Sequence, residues 1–62
     1  MAEKTLTEYL SSVRSELTRN VWHFTPDHAA LVVLRNMDDL LQDFQNHKPS
    51  WNAAMEVGFN ET

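Results

Sequence analysis

Thr25-Pro26-Asp27-His28-Ala29-Ala30-Leu31-Val32-Val33-Leu34 is the stretch that decides the fold. Its first three residues start a helix. The Thr25 hydroxyl can cap, and Pro26 in the first turn gives up no needed N–H and has φ already set. The Asp27 charge complements the positive end of the helix dipole. Six apolar residues then run without a break from Ala29 to Leu34. A run that long covers every side of a helix, and a helix apolar all round is usually buried all round.

The pattern extends outward in both directions. Downstream, Ala30, Val33, Leu34, Met37, Leu40, Leu41 and Phe44 recur at helical spacing, opposite Arg35, Asn36, Asp38, Asp39, Gln42, Asp43, Gln45 and Asn46. One helix is expected over 26–47, ended by Lys48-Pro49, because the residue before a proline is driven out of the helical region. Upstream, Thr5-Leu6-Thr7-Glu8 matches a capping box. Leu6, Leu10, Val13 and Leu17 follow at steps of four, three and four, widened by Tyr9, which predicts a helix over 6–21. The connection carries Val21, Trp22 and Phe24, apolar enough to close the end of a core, and Phe24 is placed to staple onto Ala29 or Ala30. After Pro49, Ser50 is a candidate cap for a short third helix over 51–57, with Trp51, Ala54 and Met55 as its apolar face and Gly58 as its stop. The fold class is therefore all-α: a single small domain, a helical hairpin plus a short C-terminal helix.

Size sharpens the problem. A domain near 62 residues buries only about 60% of the surface its unfolded chain exposes. Such chains usually lean on a disulfide, a metal or a partner, and this one has no cysteine. Two helices of about 30 Å pair on one face only. Covering the rest by symmetry predicts a homodimer resembling a four-helix bundle, with Leu31, Val32, Leu34, Met37, Leu41, Phe44 and Trp51 at the dimer or partner interface. The rival is a monomer in which the third helix closes the core.

Composition excludes several functions. Five basic residues against nine acidic leave a net charge of −4, and Lys4, Arg14, Arg19, Arg35 and Lys48 are dispersed. Phosphate binding depends on clustered cations, so nucleic acid is not an expected direct partner. The start of the second helix, Pro-Asp-His followed by apolar residues, also does not suit major-groove insertion. No apolar run approaches the ~20 residues of a membrane span, and Met1-Ala2-Glu3-Lys4 lacks the features of a signal peptide. A cytoplasmic location is expected.

No chemistry-bearing pattern emerges. His23, His28 and His47 straddle a helix boundary without a pair at ligand spacing, so no metal is expected. His47, near the end of the second helix, complements the helix dipole. Ser11, Ser12, Ser15 and Ser50 have no base at a recognisable spacing. Asp38, Asp39 and Asp43 form an acidic strip that suits either solvation or a basic surface on a partner. Met37 and Met55 read as core filler, while Trp51 suits a binding hot spot as well as a bundle plug. Neither catalysis nor a cofactor is expected.

The expected function is that of a small non-enzymatic regulatory or adaptor protein acting by protein–protein binding on a larger host protein. By composition alone it is similar to small acidic inhibitors encoded by phages and plasmids. Two alternatives remain. One is a dimeric nucleic-acid-associated regulator whose basic surface is built from Arg14, Arg19 and Lys48. The other is a structural subunit of a larger assembly.

Overall fold

The structure, a computed structural model, describes residues 5–19 and 23–61. The chain is helical, with no strand among the described residues. Among the described residues four helices follow in order: α1 (Leu6–Arg19), α2 (Pro26–Arg35), α3 (Met37–Gln45) and α4 (Ser50–Glu61). Together they span 32 × 19 × 16 Å.

Local chemistry explains where the helices begin. The capping box at the start of α1 forms both its bonds. The Glu8 amide donates to Thr5 Oγ1 at 3.2 Å, and the Thr5 amide donates to Glu8 Oε1 at 3.0 Å. Two of the orphan donors of the first turn are thereby satisfied. At α2 the Thr25 hydroxyl accepts from the His28 amide at 3.2 Å, with Pro26 next to it in the first turn. The connection between α1 and α2 is tied down where the Phe24 amide donates to the Leu17 carbonyl at 3.0 Å. Phe24 lies against the His28 ring, centroid to centroid 4.5 Å. The expected roles of Val21 and Trp22, and the end of the first helix beyond Arg19, fall outside the described residues.

The long second helix expected over 26–47 is instead two helices joined at Asn36. The Asn36 backbone sits at φ −109°, ψ 24°, away from helical values. Its side-chain Nδ2 donates to the Val32 carbonyl at 2.8 Å, and its own amide donates to the same oxygen at 3.1 Å. An asparagine that turns its amide back on the preceding turn competes with the helical ladder, and a side chain inserted there is a recognised cause of a kink. Asn36 Nδ2 and Arg35 also reach Glu61, at 3.4 and 3.1 Å, so the kink is fastened to the end of α4.

α3 stops at Gln45 rather than at 47 because of a Schellman motif. The Lys48 amide donates to the Asp43 carbonyl at 2.9 Å, and the His47 amide to the Phe44 carbonyl at 3.1 Å. His47 takes the left-handed position with φ 59°, where glycine is more usual. The chain is thus turned before Pro49 is reached.

α4 departs most from expectation. It is a 12-residue helix and does not end at Gly58. Ser50 lies inside its first turn, and the Pro49 carbonyl accepts from the Asn52 and Ala53 amides. Its buried face is Ala53, Ala54, Val57 and Gly58, whereas Trp51 and Met55 face outward. Small side chains let the backbones of α1 and α4 approach closely, and a glycine in a helix interior, which costs about 1 kcal/mol relative to alanine, is explained by that approach.

One core joins all four helices. Tyr9, Val13 and Leu17 come from α1, Ala29, Val32 and Val33 from α2, Leu40 from α3, and Ala53, Ala54 and Val57 from α4. Leu10, Phe24, Met37 and Phe44 pack around it. α4 packs chiefly on α1 and also touches α2, so the third side of the hairpin is closed from within the chain.

Candidate protein-binding surface

α1 and α2 run antiparallel, and two adjoining grooves follow their seam. The first, about 460 Å³, is lined by Thr7, Leu10, Ser11 and Arg14 from α1 and Ala30, Val33 and Leu34 from α2. The second, about 330 Å³, continues along Arg14, Ser15, Thr18, Pro26, Asp27 and Ala30. The floor of the first is apolar because Leu10 and Ala30 are only partly covered, and Leu34 stands 65% exposed at its edge. Arg14 and Asp27 give the rim both signs of charge. Such a groove can take the apolar face of a helix, with the rim fixing its orientation.

The residues expected at an interface fall into different environments. Leu31 and Leu34 are exposed on α2, and Trp51 is exposed on α4, the two leucines at 56% and 65% and the tryptophan at 56%. Val32 is fully buried in the chain's own core. Met37, Leu41 and Phe44 are partly covered. Phe44 meets the Tyr9 ring at a centroid distance of 5.4 Å. Asp38 and Asp39 are exposed, while Asp43 is engaged within the chain by Lys48 at 3.3 Å.

Two exposed apolar residues were not legible as such from sequence. Met55 is 37% and Phe59 66% exposed. The available signal was the spacing of Trp51, Met55 and Phe59, four residues apart in each case, which places them in one row on a helix. Reading the third helix as ending before Phe59 hid that row.

A connected polar cluster lies at the end of α3. Tyr9 Oη donates to the Lys48 carbonyl at 2.8 Å. Lys48 Nζ donates to both Glu56 carboxylate oxygens at 2.7 and 2.8 Å and pairs with Asp43. Burial raises the Tyr9 phenol above its ordinary value, and the nearby Asp43 charge adds to the shift. The hydrogen bond to Glu56 likewise raises Lys48. Both shifts move away from the deprotonated forms that act as base or nucleophile. The cluster pins the α3–α4 connection to α1. No three His, Asp or Glu side chains converge on a cation position among the described residues, and no described helix is long and apolar enough to cross a membrane.

No protein-family model matches this chain, and no curated protein or solved structure is significantly similar to it.

Proposed function

We propose that this protein is a small non-enzymatic regulator or adaptor that acts by binding other protein chains, taking the apolar face of a partner helix along the α1–α2 seam. One observation carries the reading. Among the described residues five large apolar side chains, Leu31, Leu34, Trp51, Met55 and Phe59, remain exposed around the core. Burying such a side chain contributes roughly 1.5–3 kcal/mol, and contiguous exposed apolar surface marks interaction sites on soluble proteins. The groove floor of Leu10, Ala30 and Val33, with Leu34 at its edge and Arg14 and Asp27 at the rim, fits helix-in-groove recognition.

The reading extends to a cytoplasmic inhibitor that occupies an interface of a larger host protein and works as a homodimer. The nucleic-acid alternative is weaker, because Lys48, one of the three cations it needs, is held by Asp43 and Glu56.

The test is affinity capture from the source lysate with the wild-type chain and with Leu34→Asp, both checked for helicity by circular dichroism. The wild type is expected to retain a partner that the folded variant loses. Equal retention by the two chains, or no retained protein, would overturn the reading.

A further inference from the structure

We infer that the outer row of α4, Trp51-Met55-Phe59, is the seam between two copies of this chain, paired antiparallel about a two-fold axis through Met55. The inference rests on the protein-binding reading above and assigns separate faces to the copy and to the partner.

Three observations favour a second copy as the occupant. The first is the order of the row. An aromatic, a methionine and an aromatic stand four residues apart, so the row reads alike in both directions. An isologous contact must be self-complementary. Rotation about Met55 sets each Trp51 against Phe59 of the other copy and Met55 against itself. Rows at i±4 interdigitate when two helices cross at about −50°, and sulfur against aromatic edges is a favourable contact.

The second is charge. The chain carries −4 overall, so a copy meeting a copy must avoid its acidic surface. α4 has two carboxylates, and both are engaged within the chain: Glu56 with Lys48 at 2.7 Å and Glu61 with Arg35 at 3.1 Å. Asn52 and Asn60, uncharged, flank the row. The α1–α2 face differs, with Arg14 and Asp27 at its rim, and suits a chain of different sequence.

The third is area. Aromatic side chains bury about 150–250 Å² each, so the row presents on the order of 300 Å² per copy at the exposures given above. Two rows come to about 600 Å², and a polar rim brings the contact into the class of weak, transient interfaces, below about 1,200 Å². The dimer is therefore weak and reversible, and its mass depends on concentration.

Sedimentation equilibrium across a concentration series, with single substitutions, tests the seam. The wild type is expected to rise from 7.2 kDa to twice that mass. Met55→Lys, which sets two like charges on the axis, is expected to stay at the single-chain mass, and Met55→Leu to keep the dimer. Because the chain has no cysteine, Met55→Cys should cross-link to a covalent dimer under mild oxidation far faster than Leu34→Cys. A wild type of single-chain mass throughout overturns the seam, as does a Met55→Lys chain that still dimerises. Dissociation by Leu34→Lys but not by Met55→Lys also overturns it and moves the copy contact to α2. Each of these outcomes is independent of whether Leu34→Asp loses a captured partner, so failure of the seam and failure of the protein-binding reading are told apart.

Discussion

α2 and α4 solve opposite packing problems with similar materials. Pro26 opens α2 and Pro49 immediately precedes α4, and both helices are rich in apolar residues. α2 puts medium-sized side chains, Ala29, Val32 and Val33, inward and shows Leu31 and Leu34 outside. α4 puts its smallest residues, Ala53, Ala54 and Gly58, inward with Val57 and shows Trp51, Met55 and Phe59. The size order on α4 is the reverse of what burial by hydrophobicity alone would choose. Helices that pack closely need small residues at the contact, because every added methylene must find room in an interior packed at crystal density. The large residues of α4 therefore sit outside by exclusion, and on α2 by the lack of a further layer.

That contrast breaks most sharply between neighbours on α2. Val32→Asp places an unpaired carboxylate in the core and is expected to abolish the cooperative helical melt, since a folding margin of about 5–15 kcal/mol does not survive such burial. Leu34→Asp, two residues on, is expected to leave the melt nearly unchanged, within about 0.5 kcal/mol for a surface site. A comparable loss in both would show that Leu34 is a core residue. On α4, Ala54→Leu forces bulk into the close contact and should cost about 1–3 kcal/mol in urea unfolding. Trp51→Gln at low protein concentration should cost little, and the reverse order would mean that the two faces of α4 had been exchanged.

Smaller effects probe the fastening of α4 to the rest. Tyr9→Phe removes the phenol's bond to the Lys48 carbonyl and should cost about 0.5–1.5 kcal/mol. The same contact sets a pH dependence. The folded Tyr9 pKa is raised above 10.0, so the native state holds its proton more tightly than the unfolded chain. Its contribution is complete below pH 10.0 and falls as pH rises through the folded value. Lys48, raised above 10.5, has the same sign. Alkaline titration of the unfolding midpoint should therefore show a decline starting near pH 10.0, shallower in Tyr9→Phe; an unchanged slope would remove Tyr9 from the account. Smallest of all, His47→Gly relieves a left-handed residue. That strain is worth about 1–2 kcal/mol and is partly offset by glycine's extra freedom when unfolded, so a net gain of a few tenths to 1 kcal/mol is expected in the same assay. A loss would mean that the His47 side chain supports the turn.

The legible features were those written in adjacent residues. The capping box of Thr5 and Glu8, the Thr25 cap with Pro26, and the inward-facing Val13, Leu17 and Leu40 follow from spacings of three and four. The break at Asn36 was not legible, because an asparagine on a polar helix face looks like any solvated residue. The Asn36 amide that turns back onto the Val32 carbonyl also reaches the Glu61 carboxylate, brought in from the far end of α4. The Tyr9–Lys48 bond joins residues 39 apart in sequence and leaves no local trace. Of the interface candidates, Leu31, Leu34 and Trp51 are exposed, whereas Val32 lies in the core. A run apolar on every side states that a helix needs company and does not state which sides its own chain will cover.

By itself the sequence determined the helical class, the breaks at Thr25-Pro26 and Lys48-Pro49 and the surplus of apolar surface, because helix starts, proline constraints and periodicity act within a few residues of themselves. The tertiary structure alone decided which apolar residues of α2 and α4 became core. That choice is made by backbone approach: α4 packs chiefly on α1 with Ala53, Ala54, Val57 and Gly58 turned inward, and Trp51, Met55 and Phe59 stay exposed.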